Sequence, residues 1–153
     1  KNIKACVLVD MIYIPISPAE LLDKITILEI KADRISAPEK LEHVRFELAS
    51  LSEIYDRHMP DTGQVHTWKA RLKSLNESLW SFEDDIRNCD RSQDCKDRFV
   101  DLARRIYQTN DKRAALKQEI NTELGSRIVE IKSYAAVSSL QKLPLSVQDE
   151  HEV

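Results

Sequence analysis

A chain of 153 residues with 42% apolar and 32% charged side chains is long enough for one domain with a core, and too apolar to stay unfolded. A net charge of −3 excludes a bulk electrostatic pull toward nucleic acid or an anionic membrane. Only two glycines remain for β-turns and phosphate-binding loops, so the composition points to helices.

The first ten residues, KNIKACVLVD, hold an apolar run that is too short to span a membrane and is broken by Asp10. They also lack the long apolar stretch and small-residue cleavage site of a secretory signal. We read residues 1–10 as an extension outside the fold, Met11 as the natural start, and 11–136 as the domain. IYIPI at 12–16 alternates like a strand and ends at SPAE, 17–20. There Ser17 is expected to cap a helix, Pro18 to take its first position, and Glu20 to return to the Ser17 amide. This first helix runs to about Ile35 on a stripe of Leu21, Ile25, Leu28, Ala32 and Ile35. SAPE at 36–39 repeats the signature, so Ser36 is expected to cap a second helix. That helix ends near His58 and carries Leu41, Val44, Leu48, Leu51 and Tyr55.

MPDTG at 59–63 reads as a turn. A third helix is expected from Val65 to Asn88, with Trp68, Leu72, Leu75, Leu79, Phe82 and Ile86 as its stripe. After the polar connection CDRSQD, a fourth runs from Cys95 to Leu124 and stops at Gly125. IVEIK at 128–132 alternates and can pair with 12–16 as a small two-stranded ribbon. Residues 137–153 read as a poorly ordered tail. The expected architecture is all-α, a four-helix bundle, up-down-up-down. Cys6, Cys89 and Cys95 match no zinc or redox spacing, and the four histidines are scattered, so a reduced, cytoplasmic setting is the simplest reading.

The polar residues on apolar stripes are the functional signal. Ile106, Asn110, Arg113, Lys117 and Ile120 share one stripe of the fourth helix. An amide, a guanidinium and an ammonium thus sit where the core should continue. On the first helix Lys24 and Lys31 share a face with Leu28 and Ile35, and Asp23 shares one with Ile27 and Ile30. On the third, Asn76, Trp80, Glu83 and Arg87 line up beside the Leu/Phe stripe. An unpaired buried guanidinium costs several kcal/mol, so Arg113 needs a carboxylate, a ligand anion or water. Asp23, Glu83 and Asp84 are its candidate protein partners.

Two readings stand side by side. In one, Lys24, Lys31, Arg87, Arg113 and Lys117 bind a phosphate or carboxylate in a pocket that Asn110 and Trp80 also line. Asp23, Glu83 and Asp84 then serve as acid or base, or hold a divalent metal. In the other, Arg113 pairs with Glu83 or Asp84, Lys24 pairs with a nearby carboxylate, and the charges form an internal network. Trp80 is either core or a stacking platform. Glu20-x-x-Asp23 matches half of a metal pattern of helical nucleotide pyrophosphohydrolases, but its acidic partner motif is absent. Asn121 caps a helix or faces solvent.

The segments IPISPAELLDKITILEIKADRI, LWSFEDDIR and YQTNDKRAALKQEINTELGS, followed by EIKSY, resemble a small bacterial family known only as a domain of unknown function. The resemblance spans about Ile12 to Tyr134. DKITILEIK, LWSFEDDIR and the ND-R pattern are more distantly similar to a second uncharacterised bacterial family. The resemblance implies a loose association with glycosyltransferase and cell-surface polysaccharide genes, and no assigned catalytic residues. Two function classes follow. One is a small enzyme or enzyme subunit acting on a phosphorylated or nucleotide-sugar-like anionic metabolite. The other is a non-catalytic binding or scaffold bundle that partners a glycosyltransferase or, as a homo-oligomer, itself.

Overall fold

The computed structural model describes residues 11–92 and 96–130, of which 82% are helical. Four helices follow one another: α1 (Pro18–Arg34), α2 (Pro38–His58), α3 (Gly63–Ser92) and α4 (Lys96–Glu123). The architecture is an all-α four-helix bundle, as the periodicity predicts.

α1 begins where expected. The Ser17 hydroxyl accepts from the Glu20 amide at 3.2 Å, and Pro18 occupies the first turn, where its missing N–H costs nothing. Ser17→Ala is expected to lower stability by about 1 kcal/mol through the lost cap, read by urea denaturation. The helix packs against all three others. That position explains why it is apolar around most of its circumference: Leu21, Leu22, Ile25, Leu28 and Ile30 are all buried.

α2 departs from expectation at its start. Ala37, not Ser36, is the N-cap, and no side chain caps this helix. In SPAE the proline directly follows the serine. In SAPE it follows the alanine, and Pro38 sets the first helical position one residue later. α2 lies along α1 and buries no residue fully.

α3 and α4 form a long antiparallel hairpin, tied at one end by Trp68 to Glu119 and toward the other by Asp85 to Arg98. The central core cluster is Ala19 and Leu22 from α1, Val65, Trp68 and Leu72 from α3, and Leu116 and Ile120 from α4. Phe99, near the start of α4, is 40% exposed.

α4 ends in a Schellman turn. The Ser126 amide donates to the Asn121 carbonyl at 2.8 Å and the Gly125 amide to Thr122 at 3.1 Å. Gly125 sits at φ 63° with open space around its α-carbon. Gly125→Ala should therefore cost about 1 kcal/mol by backbone conformation alone, read by thermal melting.

Residues 12–16 and 128–130 form no strand. The rest of the expected ribbon, the extension 1–10 and the tail lie outside the described residues. Cys89 is disulfide-bonded. This corrects the reduced reading of that thiol, since spacing in sequence does not report the geometry that closes a disulfide.

Candidate functional site

The inward polar residues of α1, α3 and α4 meet in one layer. On α1, Asp23 and Thr26 are one turn apart, and the Thr26 hydroxyl donates to the Asp23 carbonyl at 2.9 Å. Asn76 of α3, fully buried, reaches across to both. Its amide nitrogen donates to Asp23 Oδ1 at 2.7 Å and to Thr26 Oγ1 at 3.0 Å. Its carbonyl oxygen accepts from Arg113 Nη1 of α4 at 2.9 Å. A single amide side chain thus bridges three helices.

One turn along α4 from Arg113, the Lys117 ammonium pairs with Glu20 and lies 2.9 Å from Glu130 Oε2 and 3.8 Å from Asp23 Oδ2. The Arg113 Nε is 4.0 Å from the same Asp23 oxygen. The Asn121 side-chain Oδ1 accepts from the Ala19 amide at 3.1 Å. That bond satisfies one of the orphan donors at the start of α1.

The charges are used up on one another. Lys117 and Arg113 bring two cations, and Glu20, Asp23 and Glu130 bring three carboxylates within reach of them. No buried side-chain nitrogen or oxygen among the described residues lacks a hydrogen-bond partner. Burial pushes the Lys117 ammonium toward a lower pKa, and it is the largest single influence. Hydrogen bonds to Glu20 and Glu130, with the charges of Glu20 and Asp23, together outweigh it. Lys117 is held above the ordinary lysine value.

An open groove of about 480 Å³ lies elsewhere, between α3 and α4, lined by Arg71, Leu75, Lys112 and Glu119 among others. Its Arg71 is held by Glu119 at 3.0 Å. The Glu119 carboxyl is lowered below its usual value by the Trp68 indole and then by Arg71.

Of the residues singled out in the sequence, Asp23, Asn76, Arg113 and Lys117 come together. Arg113 reaches Asn76 and Asp23, not the expected Glu83 or Asp84. Glu83 and Arg87 pair with each other at 2.9 Å on the exposed side of α3, and Asp84 is exposed. Lys24 turns to α2, 3.5 Å from Glu47. Trp80 is half-buried with the Arg34 guanidinium 5.6 Å over its ring. Lys31 and Asn110 are half-buried.

Asn76, which helical spacing set beside the Leu/Phe stripe, bridges the layer, and Thr26 is a member that spacing did not select. Thr26 sits between Leu22 and Ile30, and Asn76 between Leu72 and Leu79, so each is a lone polar residue in an apolar row. That is the signal that marks them. Glu20, expected on the Ser17 amide, pairs with Lys117 instead. Asn121 is buried and, of its two expected roles, takes the capping one, on the first turn of α1. Glu130 lies past the helix end, where periodicity gives no guide.

Among the described residues no three His, Cys, Asp or Glu side chains are grouped to hold a metal ion. No described helix is long and apolar enough to cross a membrane. Neither a curated protein nor a solved structure matches the chain. A family model described as a family of unknown function (DUF6165) matches residues 12–144.

Proposed function

The chain belongs to DUF6165, a family of unknown function that lends it no activity, and from the polar layer itself we propose that it is a non-catalytic binding or scaffold bundle. The observation that carries this reading is the closure of the layer: its cations already face an excess of carboxylates, and Asn76 uses both its donor and its acceptor side on protein groups. An anion entering beside Arg113 would meet Asp23 and Glu20 before it met a cation in need of a partner. The layer instead fixes the level at which α1 sits on the α3–α4 hairpin, because a slip by one turn strands Asp23 and Asn76 together. A glycosyltransferase or a second copy of the chain is the partner such a bundle would hold.

A thermal-shift screen tests the reading, since a ligand that binds only the folded state raises its melting temperature. Nucleotide sugars, nucleoside phosphates, inorganic phosphate and divalent metals are expected to leave the wild-type melting temperature unchanged. The expected effect of Arg113→Met is a loss of about 2 kcal/mol, because it strands the Asn76 carbonyl oxygen and Asp23. A concentration-dependent rise in the wild type that vanishes in a still-folded Arg113→Met would instead establish a metabolite site at Asp23, Arg113 and Lys117.

A further inference from the structure

Exposed apolar surface gathers at one end of the bundle. Ten large hydrophobic residues are exposed among the described ones, and six lie on two short segments, Met11–Ile14 and Ile128–Val129. Ile12, Tyr13 and Ile14 are 76%, 80% and 69% exposed. Both segments leave the bundle at the same place, where Asn121 holds the Ala19 amide and Lys117 holds Glu20 together with Glu130.

At these exposures the six side chains, one aromatic and five smaller, present on the order of 600 Å² of apolar area, given ~150–250 Å² for an aromatic side chain and less for the others. The largest apolar patch on a typical monomer is ~300–600 Å². Each partner in a standard-size protein interface buries ~800 Å². One end of this molecule therefore carries close to the area that one half of a stable interface needs.

The backbone there is also available. Met11–Ile16 lie in neither helix nor strand, and no backbone–backbone hydrogen bond among the described residues involves them. The stretch is β-prone and alternating, and no charged residue occurs from Met11 to Ala19.

We infer that this end is where two copies of the chain associate, with Met11–Ile14 of one lying antiparallel to the same residues of the other about a two-fold axis. The inference rests on the binding-bundle reading and names its partner. An antiparallel pair centred on Tyr13 sets Ile12 of each copy opposite Ile14 of the other, and Pro15, lacking an N–H, ends the ladder. An uncharged strand meets its own copy without like-charge repulsion, and a two-fold axis makes such a contact self-complementary. Exposed Glu123 and exposed Arg127, the latter without an ion pair among the described residues, both precede Ile128 and set opposite charges beside that apolar segment.

Size-exclusion chromatography with light scattering tests this on the full chain. The wild type is expected at twice the chain mass of 17.7 kDa. Ile12→Asp/Tyr13→Asp should halve that mass while leaving the helical circular dichroism unchanged, because both side chains lie in water in the isolated bundle. Phe46→Asp, on the exposed face of α2, should remain dimeric. A monomeric wild type, or a dimer that survives Ile12→Asp/Tyr13→Asp, overturns the inference. Neither outcome touches the binding-bundle reading, which falls only if a metabolite engages Arg113.

Discussion

Lys117→Met is expected to lower the unfolding free energy by about 3 kcal/mol or more, measured by urea denaturation. Lys117 is only 7% exposed, and methionine fills a similar length without its charge. The loss arises from what stays behind. Asp23, 8% exposed, would keep only the more distant Arg113 as a counter-charge, while Glu20 and Glu130 are about two-fifths exposed and can turn to water. The same residue sets an alkaline limit. Folded Lys117 holds its proton more tightly than the unfolded chain does, so its pairing contributes fully below the ordinary lysine value of 10.5. The contribution is lost as pH rises through the higher folded value. The wild type should therefore lose stability above about pH 10.5 more steeply than Lys117→Met, which has no such group to titrate.

Asn76→Leu is expected to cost about 3 kcal/mol as well, for a different reason. The leucine fits an apolar row between Leu72 and Leu79 and creates no charge. It removes at once the donor to Asp23, the donor to Thr26 and the acceptor for Arg113. Adding Asp23→Leu to Asn76→Leu should cost less than the sum of the two single changes, because the group that the first strands is the one that the second removes. Unfolding free energies of the two single variants and the double variant measure that coupling, and strict additivity would mean that Asn76 and Asp23 do not act together.

Helix positions were legible because two independent signals agreed at most ends. Ser17 combines capping chemistry with proline placement, and Gly125 supplies the left-handed residue that ends α4. Ser36 misled because its motif has the right spacing but the wrong proline position. That Arg113 and Lys117 turn inward was also legible, since 3.6-residue periodicity fixes the side of a helix. Their partners were not. Periodicity carries no information on the level at which a neighbouring helix passes. Glu83 and Asp84 lie about two turns beyond Asn76 and miss Arg113 for that reason. Lys24 borders the α1 core stripe, yet α2 passes close enough for Glu47 to take it. Glu20 already had a local explanation in the cap, which hid its place beside Lys117.

If the charged layer sets how α1 seats on the α3–α4 hairpin, its removal should loosen that seating. The variant Asp23→Leu/Asn76→Leu/Arg113→Met/Lys117→Met removes the buried charges and their bridging amide together, and its amide nuclear magnetic resonance spectrum, recorded beside the melting temperature, reads the outcome. Replacing a complete buried ionic set by apolar residues is often neutral or stabilising, so this variant is expected to stay helical and melt no lower than Lys117→Met. Its spectrum is expected to broaden or split, as α1 samples more than one seating. A single sharp set of resonances with wild-type dispersion would contradict the account, because the seating would then be fixed without the layer.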